Sequence, residues 1–181
     1  MEIENDSLNK KFQYDEYIRP LIDCMPESIK EQRVIYRTCI SWPPCELDET
    51  PLYFRTMGED NTPRKYTQEE IEAMKPQRRR KLLGSMGLSF NPTWEDAVRK
   101  FMESYSRQAS KGLSQERLDA YAENRGTIVG AFIYKPEHGI LTEFLDEHGN
   151  LFLYSPVRLK DIMLENWVPF KIDYLNYGKN D

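Results

Sequence analysis

Two histidines, three cysteines and one dense basic run are the residues whose types could carry chemistry in this 181-residue chain. His138 and His148 each sit in a Glu-His-Gly triplet, ten positions apart. A strand advances about 3.3 Å per residue, so turns at opposite ends of an extended stretch between them lie roughly 25–30 Å apart, and a single site cannot use both rings. Each triplet is better explained as a hairpin turn in which glycine supplies a positive φ. Cys24, Cys39 and Cys45 with one histidine would just complete a zinc set, yet no pair has the spacing of a structural zinc site. Nothing local identifies which of the three thiols would be an activated one, so a cysteine nucleophile is not marked. Gly84-Ser85-Met86-Gly87 lacks the lysine and hydroxyl of a phosphate loop at the required offsets. The 30 acidic residues are too abundant to single out a pair for glycoside chemistry, and most belong on a solvated surface. The expectation is a protein without catalytic residues, cofactor or metal.

The basic run is the one positive signal. Arg78, Arg79, Arg80 and Lys81 follow a proline and could present forked guanidinium groups to phosphates of a nucleotide or nucleic acid, or to an acidic protein. The plainer alternative is a solvated helical face with Leu82 and Leu83 packed beneath it. Residues 61–90, which contain the run, carry 7 bases and 3 acids, whereas the flanking parts are acidic.

The elements that must position these residues are clearest in the second half. Thr93, with Asp96 three residues on, caps a helix in which Trp94, Ala97, Val98, Phe101, Met102, Tyr105 and Ala109 recur at spacings of three and four before Gly112. Ser114 caps a second helix that Gly126 terminates. From Thr127 the pattern turns extended: 127–134, 140–145 and 151–154 are rich in β-branched and aromatic residues and suggest a three-stranded antiparallel meander. Ser155-Pro156 opens a short helix to about Glu165, and 167–172 supplies a fourth strand. Earlier, 14–24 fits a short helix, 33–41 a strand ended by Trp42-Pro43-Pro44, and 52–57 a further strand closed by a turn at 58–61. Thr67 and Glu70 form a capping box, and Pro76 opens a separate helix to Leu83. The fold class expected is α+β, with a less regular N-terminal region over 1–91 and a helix-plus-antiparallel-sheet domain over 92–181.

Composition limits the function classes. With 25 Lys+Arg against 30 Asp+Glu the net charge is −5, which disfavours a general nucleic-acid coat. Aromatic residues make up 12% of the chain and hydrophobic residues 39%, enough for a packed core. No apolar run is long enough for a membrane span, the first residues lack a secretory layout, and three unpaired cysteines suit a reducing compartment, so a cytoplasmic protein is expected.

One segment adds a family likeness. Asp161-Ile162-Met163-Leu164-Glu165-Asn166-Trp167, after a strand and a Ser-Pro step, resembles the closing motif of the Thoeris anti-defence two-like domain of phages and bacteria. The helix around Trp94-Glu95-Asp96-Ala97-Val98 is similar to that family's opening helix. The sequence departs from the pattern at Leu164, where a small residue is usual, at Asn166, where an acid is usual, and in lacking the arginine and tryptophan after the opening helix. The resemblance implies a non-enzymatic phage or prophage protein that inhibits bacterial immunity in the host cytoplasm by sequestering a nucleotide-derived signal as a homo-oligomer. A host defence protein bound directly, as an anti-CRISPR does, and nucleic acid bound through residues 78–81 are the alternative partners. For the motif residues themselves, structural roles are expected: Ile162 and Met163 facing a core, Asp161 taking a backbone amide, and Trp167 anchoring the last strand.

Overall fold

Alternation along one strand sets the architecture. In the computed structural model, which describes residues 9–55 and 62–177, the elements run α1 (Asp15–Ile18), β1 (Arg33–Cys39), α2 (Glu46–Glu49), α3 (Gln68–Ala73), α4 (Pro76–Ser85), β2 (Leu88–Phe90), α5 (Trp94–Ala109), α6 (Gln115–Arg125), β3 (Ile128–Tyr134), β4 (Gly139–Leu141), β5 (Gly149–Leu153) and β6 (Phe170–Lys171). Short 3-10 segments cover Arg19–Cys24, Leu52–Phe54, Pro136–His138 and Leu159–Ile162. On β1, Ile35 and Cys39 enter one core with Phe90, Phe132, Leu141, Leu151 and Leu153, while Tyr36 on the opposite phase meets Val129, Phe101 and Leu118. The period of two is what lets one strand serve two cores.

The strands form two antiparallel three-stranded sheets, in the orders β1-β3-β6 and β2-β5-β4. The first sheet packs its outer face on α5 and α6 and its inner face on the second sheet. On β5, Leu151 and Leu153 face the first sheet, whereas Phe152 and Tyr154 just beyond the strand turn toward Leu83, Met86, Ile71 and the N-terminal segment. The result is a helix–sheet–sheet–helix layering, in agreement with the α+β expectation. Reciprocal backbone bonds between Tyr36 and Asn91 (3.0 and 2.7 Å) join the sheets along one edge. Both sheets draw strands from either side of Asn91-Pro92, since β1 pairs with β3 and β2 with β5.

Local signals set several boundaries. Thr67 Oγ1 accepts from the Glu70 amide and Glu70 returns a bond to the Thr67 amide, closing the capping box of α3. Thr93 and Ser114 cap α5 and α6 through their hydroxyls. These bonds occupy helix-end amides that would otherwise lack partners.

Several expectations need correction. The stretches 127–134, 140–145 and 151–154 do not form one meander, because β3 pairs with β1 and β6 while β4 pairs with β5. Residues 52–54 form a 3-10 turn instead of a strand, since the Phe54 amide bonds back to Pro51 O (2.9 Å) and the Phe54 ring stacks on Tyr14 (3.9 Å between centroids); the rest of that stretch beyond 55, and the turn at 58–61, lie outside the described residues. After Ser155-Pro156 the helical segment is only the 3-10 turn Leu159–Ile162. The glycines of the two Glu-His-Gly triplets do not supply positive φ. Gly139 and Gly149 begin β4 and β5, and a Cβ there would stand 2.2 Å from Phe152 O and 2.9 Å from Thr142 O. In the second turn the left-handed residues are Asp146 (φ 51°) and Glu147 (φ 54°), as a two-residue hairpin closed by Leu145 and His148 requires.

The motif near the C-terminus behaves structurally. Asp161 Oδ2 accepts from the Arg158 amide (2.8 Å), Ile162 is buried, Met163 packs beside it, and Trp167 Nε1 donates to Val129 O (2.9 Å) while its ring meets Tyr36 edge-on. Trp167 therefore fixes the chain against β3 just ahead of β6.

Candidate functional site

Arg37 occupies the inward phase of β1, between Ile35 and Cys39, where alternation calls for an apolar residue. It is only 8% exposed, its Nε and Nη1 are buried without a hydrogen-bond partner, and its guanidinium carbon lies 5.4 Å from the Phe90 ring centroid. A buried guanidinium without a counter-ion is costly, so it marks a place where something other than folding selects the residue.

Arg37 lines a cleft of about 480 Å³. The walls come from the chain after α2 through Arg55, the C-terminal end of α4, β2, one face of α5, the end of α6 and the 145–148 turn. Among the described residues five cations line it, Arg37, Arg55, Lys100, Arg107 and Arg125, against two carboxylates, Glu103 and Asp146. Both acids are already engaged: Asp146 with Lys100 (2.8 Å), and Glu103 with Arg99 (2.8 Å) and Lys100 (3.9 Å). The cleft thus carries an excess of positive charge in a chain whose net charge is −5.

The cations act on one another. Burial first, then the field of Arg37 and more weakly that of Arg125, push the Arg55 pKa down, with Asp48 and Cys45 opposing. Arg55 donates from Nε to Thr50 O (3.0 Å), which fixes its stem. At the rim, desolvation and then Lys100 and Arg125 lower the His148 pKa against the pull of Asp146, so the imidazole is neutral at pH 7 and offers a hydrogen bond without a charge. His138 is not part of the cleft lining.

The buried acid nearest this chemistry is committed elsewhere. Asp48, 1% exposed, accepts from the amides of Ile40 (2.7 Å), Ser41 (3.2 Å) and Cys45 (3.0 Å) and from the Cys45 thiol (3.3 Å). Its oxygens organise the 40–48 loop, which seats Trp42 over Gly130, where a Cβ would stand 2.5 Å from the indole, and edge-on to Phe132. Among the described residues the carboxylate's hydrogen bonds go to backbone amides and the Cys45 thiol and none to a guanidinium, so it acts on Arg55 only through its field.

The basic run lies elsewhere. Arg78, Arg80 and Lys81 are exposed on α4, Arg79 is half-buried with Nε donating to Met74 O (3.2 Å), and none of the four lines the cleft. Leu83 is buried and Leu82 partly so beneath them. Reasoning from sequence passed over Arg37, Arg55, Arg107 and Arg125 because they are scattered along the chain. Arg37 alone left a trace, as a charge in phase with Ile35 and Cys39.

Among the described residues no group of three or more His, Cys, Asp or Glu side chains is placed to hold a metal ion. Cys39 is fully buried, and burial pushes its thiol up to about 12. In the folded protein at pH 8, N-ethylmaleimide should modify Cys24 and Cys45 and spare Cys39, as read by peptide mass mapping; rapid labelling of Cys39 would show that its core is not packed as described. No described helix is long and apolar enough to cross a membrane.

No family model, curated protein or solved structure matches this chain. The functional reading therefore stands on the cleft.

Proposed function

We propose that this chain is a non-catalytic binding protein whose cleft holds a small phosphate-bearing ligand of nucleotide size. The observation that carries the reading is the buried Arg37 guanidinium, two of whose nitrogens lack a partner, in a cleft with four further cations and, among the described residues, no free carboxylate. Phosphate oxygens are the partner such forks recognise, and a low-dielectric surround strengthens each contact. A cleft of about 480 Å³ falls within the roughly 300–1,000 Å³ of small-molecule sites. Among the described residues no hydrogen bond joins a lining hydroxyl to His148, and on this reading the cleft side chains hold the ligand. Sequestering a nucleotide-derived signal, which the likeness to the Thoeris anti-defence two-like domain implies, requires that capacity and nothing more. On this reading the chain is a phage or prophage inhibitor of bacterial immunity that works in the host cytoplasm.

A second reading has one observation in its favour: Arg78, Arg80 and Lys81 are exposed on α4. There the partner is a macromolecular polyanion, either nucleic acid or an acidic host defence protein.

Calorimetric titration with pyrophosphate, ADP and a cyclic dinucleotide, with native mass spectrometry to report stoichiometry and subunit number, tests the first reading. At least one of these ligands should bind at one per chain, with affinity that weakens as salt rises. Reversing the charge of residues 78–81 should leave that affinity unchanged. Absence of binding by all three overturns the reading, and loss of binding in the 78–81 variant moves the site to α4.

A further inference from the structure

We infer that Asp146 is a built-in counter-ion of the cleft that competes with a ligand for Lys100, and that the site therefore selects ligands carrying more than one phosphate charge. The inference rests on the anion-binding reading above and specifies its ligand class.

Lys100, on α5, reaches Asp146 Oδ2 at 2.8 Å, and both residues line the cleft. The Asp146 oxygen takes one of the ammonium group's three donor positions and is the nearer of its two carboxylate partners, since Glu103 stands at 3.9 Å. Asp146 lies at the tip of the Leu145–His148 turn, with its side chain 86% exposed, so nothing encloses it in that position. The turn does not depend on the bond. Asp146 and Glu147 both hold left-handed φ values, which cost energy for L residues other than glycine and persist only when neighbours impose them. The neighbours that do so are independent of Lys100. Glu147 pairs with Arg99, the Glu147 carbonyl accepts from Asn91 Nδ2 (2.8 Å), and Leu145 and His148 exchange backbone bonds (3.0 and 3.1 Å). The turn is thus held on α5 and β2 by other contacts, and the Asp146 carboxylate can leave Lys100 while the backbone stays in place.

A tethered carboxylate competes at a high effective concentration, on the order of millimolar for short flexible connections. A single phosphate charge offers Lys100 little that Asp146 does not already supply. A ligand that also engages Arg37 and Arg55 deeper in the cleft gains enough elsewhere to displace it.

The test is a double-mutant cycle read by calorimetry with pyrophosphate and inorganic phosphate. Asn tolerates the left-handed region and matches Asp in size, so Asp146→Asn removes the charge and keeps the turn. Expected is a tightening of pyrophosphate binding by about 2- to 5-fold, the range an exposed ion pair supplies, with a narrowed preference over inorganic phosphate. In a Lys100→Met background the same Asp146→Asn change should have no effect. Equal tightening in both backgrounds reports a general field effect and overturns the inference, as does unchanged affinity in Asp146→Asn. Both outcomes leave the anion-binding reading standing. Failure of the wild-type protein to bind pyrophosphate, ADP or the cyclic dinucleotide overturns that reading and this inference together.

Discussion

Replacing Arg37 by methionine should make the protein more stable and, if the cleft binds phosphates as proposed, weaken that binding in a single step. The guanidinium is 8% exposed, and two of its nitrogens are buried without partners. Methionine keeps an unbranched stem against Phe90 and restores an apolar residue in phase with Ile35 and Cys39. Exchanging poorly compensated buried charge for packed apolar groups stabilises by about 1–4 kcal/mol where it has been measured. For a chain of this size each kcal/mol shifts the melting temperature by about 2–4 °C. Affinity for pyrophosphate or ADP should fall by about 10- to 100-fold, the equivalent of one hydrogen bond to a charged group at about 1.5–3 kcal/mol. Thermal unfolding and calorimetry on the same sample measure both. A variant that melts lower and binds as well as wild type would assign Arg37 to packing on Phe90 and sink the ligand role.

Asp48→Ala should cost about 3–5 kcal/mol, the loss typical when one partner of a buried charged network is removed. Three backbone amides and a thiol converge on this carboxylate, and truncation leaves the amides of Ile40, Ser41 and Cys45 without their acceptor. Each such orphan costs about 1–3 kcal/mol if water cannot reach it. The damage would spread through Trp42, which the loop holds over Gly130 and against Phe132. The removed charge also offsets the field on Arg55, so the cleft loses part of its screening at the same time. Urea unfolding followed by tryptophan fluorescence measures the loss as a lowered midpoint. An unchanged midpoint would mean that the 40–48 loop is held by its other contacts.

Taken together, the two variants separate two uses of buried charge. Asp48 is buried and satisfied, so it should stabilise; Arg37 is buried with two unsatisfied nitrogens, so it should cost stability.

Much of the helical structure was legible because its signals are local. The hydroxyl of Thr93 meets an amide three residues away, and the apolar residues of α5 lie within single turns of one another, so no distant partner is needed to specify the helix. Strand existence was legible for the same reason, from alternation and β-branched content at 33–39 and 128–134. Strand pairing was not. Tyr36 opposite Ala131 is a meeting of residues 95 positions apart, and nothing in the 127–154 stretch states that β3 will leave its neighbours for β1. The turn at 145–148 shows the same limit on a smaller scale. Glycine is the residue that prefers a left-handed φ, yet Asp146 and Glu147 adopt it because the Glu147–Arg99 ion pair, the bond from Asn91 to the Glu147 carbonyl and the Leu145–His148 backbone bonds constrain them.

By itself, then, the sequence determined the α+β class, the capped helices, the strand-forming stretches and the local bond of Asp161, each set by periodicity or by groups a few residues apart. Only the tertiary structure decided the split into two sheets and the gathering of Arg37, Arg55, Lys100, Arg107 and Arg125 around one cleft. Contiguous charge is visible along a chain, as at residues 78–81, but charge assembled from five separate segments depends on which strands and helices pack together, and long-range contacts alone settle that.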